Sequence, residues 1–228
     1  MRALLLLAFV PLFLYPLTAA AEEKGPERWE TKIKEIETRY ATTPAPAQPL
    51  LFVGSSSILL WDLESSFPSM KALNHGFGGS TMPELLYYFD RLVMPFAPRG
   101  IVLYSGDNDI AKGHAPEEVA KNYAVFLDRV RALWPACPVI VLSIKPSESR
   151  WEYIDKARAA NALVAKRYAA DPHCTYVDTE ALLLTPEGKP DATLFGKDRL
   201  HLNEAGYAKW RAALLPLLEK LSEQNAGG

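Results

Sequence analysis

The sequence is poor in residues that hold metals and cofactors. Its 228 residues contain two cysteines and four histidines. The histidines, His75, His114, His173 and His201, show no zinc-site spacing. No lysine follows a glycine run as in a phosphate-binding loop. Gly76-Phe77-Gly78-Gly79 has Thr81 where a dinucleotide loop carries its third glycine. Neither a metal nor a cofactor is expected. Excess charge of one sign is missing too: 25 basic and 27 acidic side chains leave a formal charge of -2, which argues against a protein held to nucleic acid by phosphate contacts. Beyond the N-terminus no apolar run is long enough to span a bilayer. With no linker and no repeat, residues 22–228 read as one domain.

The one long apolar run comes first. Met1-Arg2 leads into Ala3 to Leu17, broken only by Pro11 and Pro16, then Thr18-Ala19-Ala20-Ala21 and the charged Glu22-Glu23-Lys24. A charged start, an apolar core and a small-residue site make a secretory signal peptide, residues 1–21, cleaved after Ala21. The run is shorter than the roughly 20 residues a spanning helix needs. The mature protein is therefore expected to be exported, periplasmic or extracellular, and not stably inserted in a membrane. Export permits disulfides. Cys137 and Cys174 each lie two residues before an apolar strand segment, at Val139 and Tyr176. Neighbouring strands about 4.8 Å apart would bring them within bonding range, so a Cys137–Cys174 disulfide is expected.

Apolar strands alternate with amphipathic helices along the rest of the chain. Leu50–Val53, Ala72–Gly76, Gly100–Tyr104, Val139–Ile144 and Thr175–Val177 read as five strands. Trp29, Ile33, Ile36 and Tyr40 share one face of a helix that Pro44, Pro46 and Pro49 end. Leu85 to Val93 reads as the apolar body of a helix starting near Thr81. Pro116–Trp134, Ile154–Ala169 and Asn203–Ser222 read as longer helices. Alternation of this kind gives a parallel sheet with helices on both faces, a three-layer α/β/α sandwich of flavodoxin-like type.

Three strands end in polar turns on the same sheet edge, where open α/β folds bind ligands. The first turn is Gly54-Ser55-Ser56-Ser57, with three hydroxyls any of which could be a nucleophile. Alone, such a serine could equally cap the next helix. The second holds Gly76, Gly78 and Gly79, and the third is Gly106-Asp107-Asn108-Asp109. Just before the last helix, Asp198 stands three residues ahead of His201. A carboxylate that accepts from Nδ1 fixes the histidine tautomer and frees Nε2 as a base. With a serine in reach, these residue types supply nucleophile, base and orienter.

In this order the blocks resemble the SGNH or GDSL hydrolases, esterases and lipases of flavodoxin-like α/β fold. The resemblance runs from about Leu50 to Trp210. It implies Ser56 as nucleophile, Gly79 and Asn108 as oxyanion donors with the Ser56 N–H, and Asp198 and His201 as the remaining catalytic pair. One departure stands out: the family's aspartate after the first glycine is Ser55 here. The implied activity is hydrolysis of short-chain carboxylic esters through an acyl-enzyme, with O-acetyl groups on carbohydrate as one candidate. Its partner is then a small-molecule or glycan ester. A lysophospholipase or thioesterase of the same fold, or a non-catalytic carbohydrate-binding module, is the alternative. Trp61, Tyr104, His75, Arg150 and the loop Lys145–Trp151 are candidates for the substrate pocket.

Overall fold

In the computed structural model the described residues are 25–226; the expected signal peptide and its cleavage site lie outside them. Five parallel strands form one sheet: β1 (Leu50–Gly54), β2 (Ala72–Gly76), β3 (Gly100–Tyr104), β4 (Val139–Leu142) and β5 (Cys174–Val177). Their order is β2-β1-β3-β4-β5, the flavodoxin-like order. The helices are α1 (Glu30–Thr42), α2 (Ser56–Leu59), α3 (Leu63–Ser66), α4 (Met82–Tyr87), α5 (Phe89–Leu92), α6 (Asp107–Ala111), α7 (Pro116–Leu133), α8 (Ile154–Ala169) and α9 (Glu204–Ala226).

The central strands are buried on both faces, which is why β1, β3 and β4 read as unbroken apolar runs. Alternate residues serve opposite layers. Leu51, Val53, Ile101, Leu103, Val139 and Val141 face a core completed by α1, α4, α5, α7 and α8. Leu50, Phe52, Val102, Tyr104, Ile140 and Leu142 face a second core with Ile58, Leu63, Trp210, Leu214 and Leu218. Burying each side chain of this size is worth about 1.5–3 kcal/mol. Helix α7 shows how the pattern acts. Pro116 opens it, Glu117 and Glu118 suit the positive end of its dipole, and Val119, Tyr123, Phe126, Leu127 and Val130 are buried.

Two expectations need correction. The apolar stretch Leu85 to Val93 is not one helix: α4 and α5 meet at Tyr88, whose φ of -97° and ψ of 10° break the helical path. At the break Tyr88 buries its ring and donates its hydroxyl to the Pro26 carbonyl at 3.0 Å. The disulfide is also absent: Cys137 and Cys174 are free thiols. Strand register explains it. Cys174 pairs with Val139, so Cys137 is displaced by two residues, about 6.6 Å along the strand. Cys137 Sγ faces the Pro98 carbonyl at 3.5 Å, while Arg131 Nη2 donates to Cys174 Sγ at 3.3 Å. Burial raises both thiols to about 11, which disfavours the reactive thiolate.

Candidate active site

The site is built at the carboxyl ends of β1, β2 and β3. Strand β1 passes into α2 through Gly54, whose φ of +138° lies outside the usual range of other residues. A Cβ there would lie 1.7 Å from the Tyr104 carbonyl oxygen. The bare glycine thus lets the turn press against β3, where the Ser55 N–H donates to that same carbonyl at 3.1 Å. Ser56 follows as the first residue of α2 and is partly exposed. Ser55 and Ser57 are fully buried, and their hydroxyls have no hydrogen-bond partner among the described residues. Of the three serines, Ser56 is the one that reaches a base.

That base is His201. Its Nε2 lies 2.8 Å from Ser56 Oγ, and its Nδ1 lies 2.6 Å from Asp198 Oδ2. Asp198 Oδ1 also accepts the backbone N–H groups of Leu200 and His201, each at 3.0 Å. One carboxylate therefore shapes the loop and orients the ring. The hydrogen bond from His201, with the two backbone donors, lowers Asp198 to about 2. The loop is closed by an antiparallel bridge between Phe195 and Leu202 and by the Gly196 N–H donating to the His201 carbonyl at 2.8 Å. Arg199, between Asp198 and His201, takes the left-handed conformation with φ +56°. Tyr207 of α9 donates its hydroxyl to the Ser57 carbonyl at 2.9 Å and ties that helix to the serine turn.

The second and third turns meet beside this chain. Asn108 Nδ2 donates to the Ser80 carbonyl at 2.9 Å. The Met82 N–H approaches Asp109 Oδ1 at 3.0 Å and Oδ2 at 3.2 Å. Two adjacent residues of α6 thus hold the Gly79–Met82 segment, and Gly79, at φ +74°, turns it. Burial lifts Asp109 to about 6 against the opposing Met82 hydrogen bond. Thr81 and Glu84 close a capping box on α4, and Glu84 pairs with Arg28 at 2.6 Å.

Tyr104 is wholly buried in the second core. Trp61 is 3% exposed, packed among Phe52, Phe67, Tyr207 and Trp210. It borders an open groove of about 560 Å³ with Leu60, Asp62, Leu202 and Tyr207. His75 is buried, with Nδ1 2.7 Å from the Leu92 carbonyl and Nε2 2.7 Å from the Tyr40 hydroxyl. Arg150 turns inward: its Nη2 donates to Asn108 Oδ1 at 2.8 Å. The loop Lys145–Trp151 buries Lys145 and Ser147. Lys145 Nζ sits 3.4 Å from Asp107 Oδ2 and from the Tyr104 hydroxyl. Burial works to raise the Asp107 carboxyl, but the Lys145 and Arg150 cations hold it below its usual value.

A serine, histidine and aspartate in hydrogen-bonded series on a flavodoxin-like sheet define a hydrolase of the acyl-transfer kind. Residues 57–209 match the model of the GDSL-like Lipase/Acylhydrolase family, and the chain belongs to that family. It is a carboxylic ester hydrolase. The match begins one residue after Ser56, so Ser56 joins the site by its contact with His201. Platelet-activating factor acetylhydrolase IB subunit alpha1 of Homo sapiens is 25% identical over 222 residues, covering 92% of this chain and 91% of the relative. A GDSL-like lipase from Bacteroides thetaiotaomicron superposes with a TM-score of 0.70 at 22% identity, over 82% of this chain and 97% of its own. A catalytic mutant of an acetylxylan esterase from Geobacillus stearothermophilus gives 0.61 at 16% identity, over 76% and 96%. Both structural likenesses concern the fold. Among the described residues no helix is long and apolar enough to cross a membrane.

Proposed function

We propose that the protein is an exported serine esterase that removes short acyl groups, with O-acetyl groups on carbohydrate as the leading substrate. The observation that carries the mechanism is the series Asp198–His201–Ser56, with contacts of 2.6 and 2.8 Å. Ser56 Oγ attacks the ester carbonyl while His201 Nε2 takes its proton. Asp198 keeps the proton on Nδ1 and stabilises the imidazolium. The Ser56 and Gly79 N–H groups and the second N–H of the Asn108 carboxamide receive the oxyanion. A single such donor is worth about 10²–10³ in kcat elsewhere. His201 returns its proton to the leaving alkoxide, then activates water to attack the acyl-enzyme and regenerate Ser56.

The short acyl group is supported by the relatives: an acetylhydrolase and an acetylxylan esterase both act, by name, on acetyl esters. Carbohydrate as the alcohol is supported by the second of these and by the expected export. The test is hydrolysis of p-nitrophenyl acetate, butyrate and octanoate and of acetylated xylo-oligosaccharide by the mature protein. Rates falling from acetate to octanoate, with acetate released from the oligosaccharide, are expected. A preference for octanoate overturns the short-acyl reading, and an inert oligosaccharide overturns the sugar. Finding the mature chain in the export fraction, beginning at Glu22, checks the signal peptide.

A further inference from the structure

Asn108 presents a problem of orientation that the triad does not solve. A carboxamide has a donating end and an accepting end, nearly equal in shape, and only the donor serves an oxyanion. Two neighbours bear on the choice. The Ser80 carbonyl, an acceptor only, meets Nδ2 at 2.9 Å. The Arg150 guanidinium, a donor only, meets Oδ1 at 2.8 Å. Reversing the amide would face donor with donor at Arg150 and acceptor with acceptor at Ser80. With Nδ2 held, one of its hydrogens goes to Ser80 and the other remains for substrate.

Arg150 is itself held by the fold. Its Nη1 stands 3.3 Å from Asp107 Oδ2, an ion pair without hydrogen-bond alignment. Asp107 pairs also with Lys145, so two cationic side chains face one carboxylate behind Asn108. Arg150 lies in the turn Glu148–Tyr153, where its φ of -126° and ψ of 23° depart from helical values. The same turn grips the loop that carries His201. The Ser149 N–H donates to the Arg199 carbonyl at 3.1 Å, and Arg199 Nη1 pairs with Glu148 Oε1 at 2.6 Å.

We propose that Arg150 is a positioning residue of the oxyanion hole: it locks the Asn108 carboxamide with its N–H toward the substrate, from a turn that also holds the histidine loop. This rests on the reading of Asn108 as an oxyanion donor. Arg150 acts through Asn108, not on the substrate, so its removal lowers kcat and leaves KM nearly unchanged.

The experiment is a double-mutant cycle on p-nitrophenyl acetate with Arg150→Ala, Asn108→Ala and the double variant, and kcat and KM measured separately. Arg150→Ala is expected to lower kcat about 10²-fold, the scale of a misplaced catalytic group, with KM within about twofold. In the Asn108→Ala background the same substitution is expected to cost less than about threefold. Millimolar guanidinium should restore part of the kcat of Arg150→Ala and none of the double variant, which lacks the amide to be oriented. An equal loss in both backgrounds overturns the proposal, as does a loss confined to KM. An unchanged kcat in Asn108→Ala instead overturns the oxyanion reading itself. Should Arg150→Ala fail to fold, Arg150→Lys supplies the cycle under the same criteria: a donor that reaches Oδ1 with poorer geometry, with a loss expected only while Asn108 is present.

Discussion

His201 Nε2 and Ser56 Oγ lie 2.8 Å apart although 145 residues of chain separate them. The contact joins the last catalytic loop to the first sheet turn. It also distinguishes among three consecutive serines, because Ser55 and Ser57 point into the protein.

Ser56→Ala is therefore expected to abolish turnover, by about 10⁴-fold or more, as loss of a serine nucleophile does elsewhere. Ser55→Ala and Ser57→Ala should keep kcat within about tenfold. Ester hydrolysis by the three variants, with a fluorophosphonate label counted on each, checks this. A Ser56→Ala protein that still labels would place the nucleophile on a neighbour.

Asp198→Asn should lower kcat by about 10²–10⁴-fold, in line with loss of the orienting carboxylate in other triads. An asparagine Nδ2 facing the ring favours the tautomer with the proton on Nε2, where it cannot act as the base. Because the wild-type carboxylate stays ionised down to about pH 2, Asp198 should contribute no step to the rate profile between pH 4 and 9. A pH–rate profile of both proteins tests the two statements together.

Gly54→Ala should be among the most damaging single substitutions. The new methyl would meet the Tyr104 carbonyl in a backbone conformation that alanine disfavours. A loss of about 4 kcal/mol or more is expected, which for a domain of this size lowers Tm by about 10 °C or more. Thermal unfolding followed by circular dichroism reads it directly. A Tm within about 3 °C of wild type would show that β1 and β3 can separate without cost.

His75 should make stability depend on pH away from the catalytic site. Burial lowers it from 6.5 to about 4, so between these values the unfolded chain binds the proton and the folded chain does not. Stability is then lost as pH falls from about 6.5 to 4 and changes no further through this group below that. The full effect is of order 3 kcal/mol. Urea unfolding at pH 7 and pH 4 should show a smaller difference for His75→Asn than for wild type, whatever the variant's absolute stability. Equal differences would mean that His75 can protonate in place.

The sheet was legible, and the catalytic candidates could be named, because each leaves a local mark. β1 and β3 are apolar runs ended by glycine turns, and Asp198 and His201 sit close enough to meet within one loop. The substrate-pocket candidates leave no such mark. Trp61 and Tyr104 carry the amphipathic rings that pockets use, but the same rings fill cores: Tyr104 packs on Trp210, while Trp61 packs on Phe52 and also borders the groove. Arg150 and Lys145 lie in a polar stretch that resembles any solvated loop. Their inward course depends on Asp107, from a different strand end, and no spacing in the chain announces that encounter. The cysteines erred by register: the expected pairing set Cys137 opposite Cys174, whereas Cys174 stands opposite Val139, two residues further along.

The strand order carries one further consequence. From β1 the chain leaves toward the layer of Ile58 and Leu63, while from the adjacent β3 it leaves toward the layer of Val119 and Tyr123. Two neighbouring strands whose exits diverge must open a crevice between them, as a seam opens where two panels are pulled apart. Ser56 lies on the path out of β1 and Asn108 on the path out of β3. The cleft is thus a property of the route the backbone takes, independent of the side chains that line it. Those lining residues can be exchanged for others, and the substrate changed with them, without the crevice having to be built again.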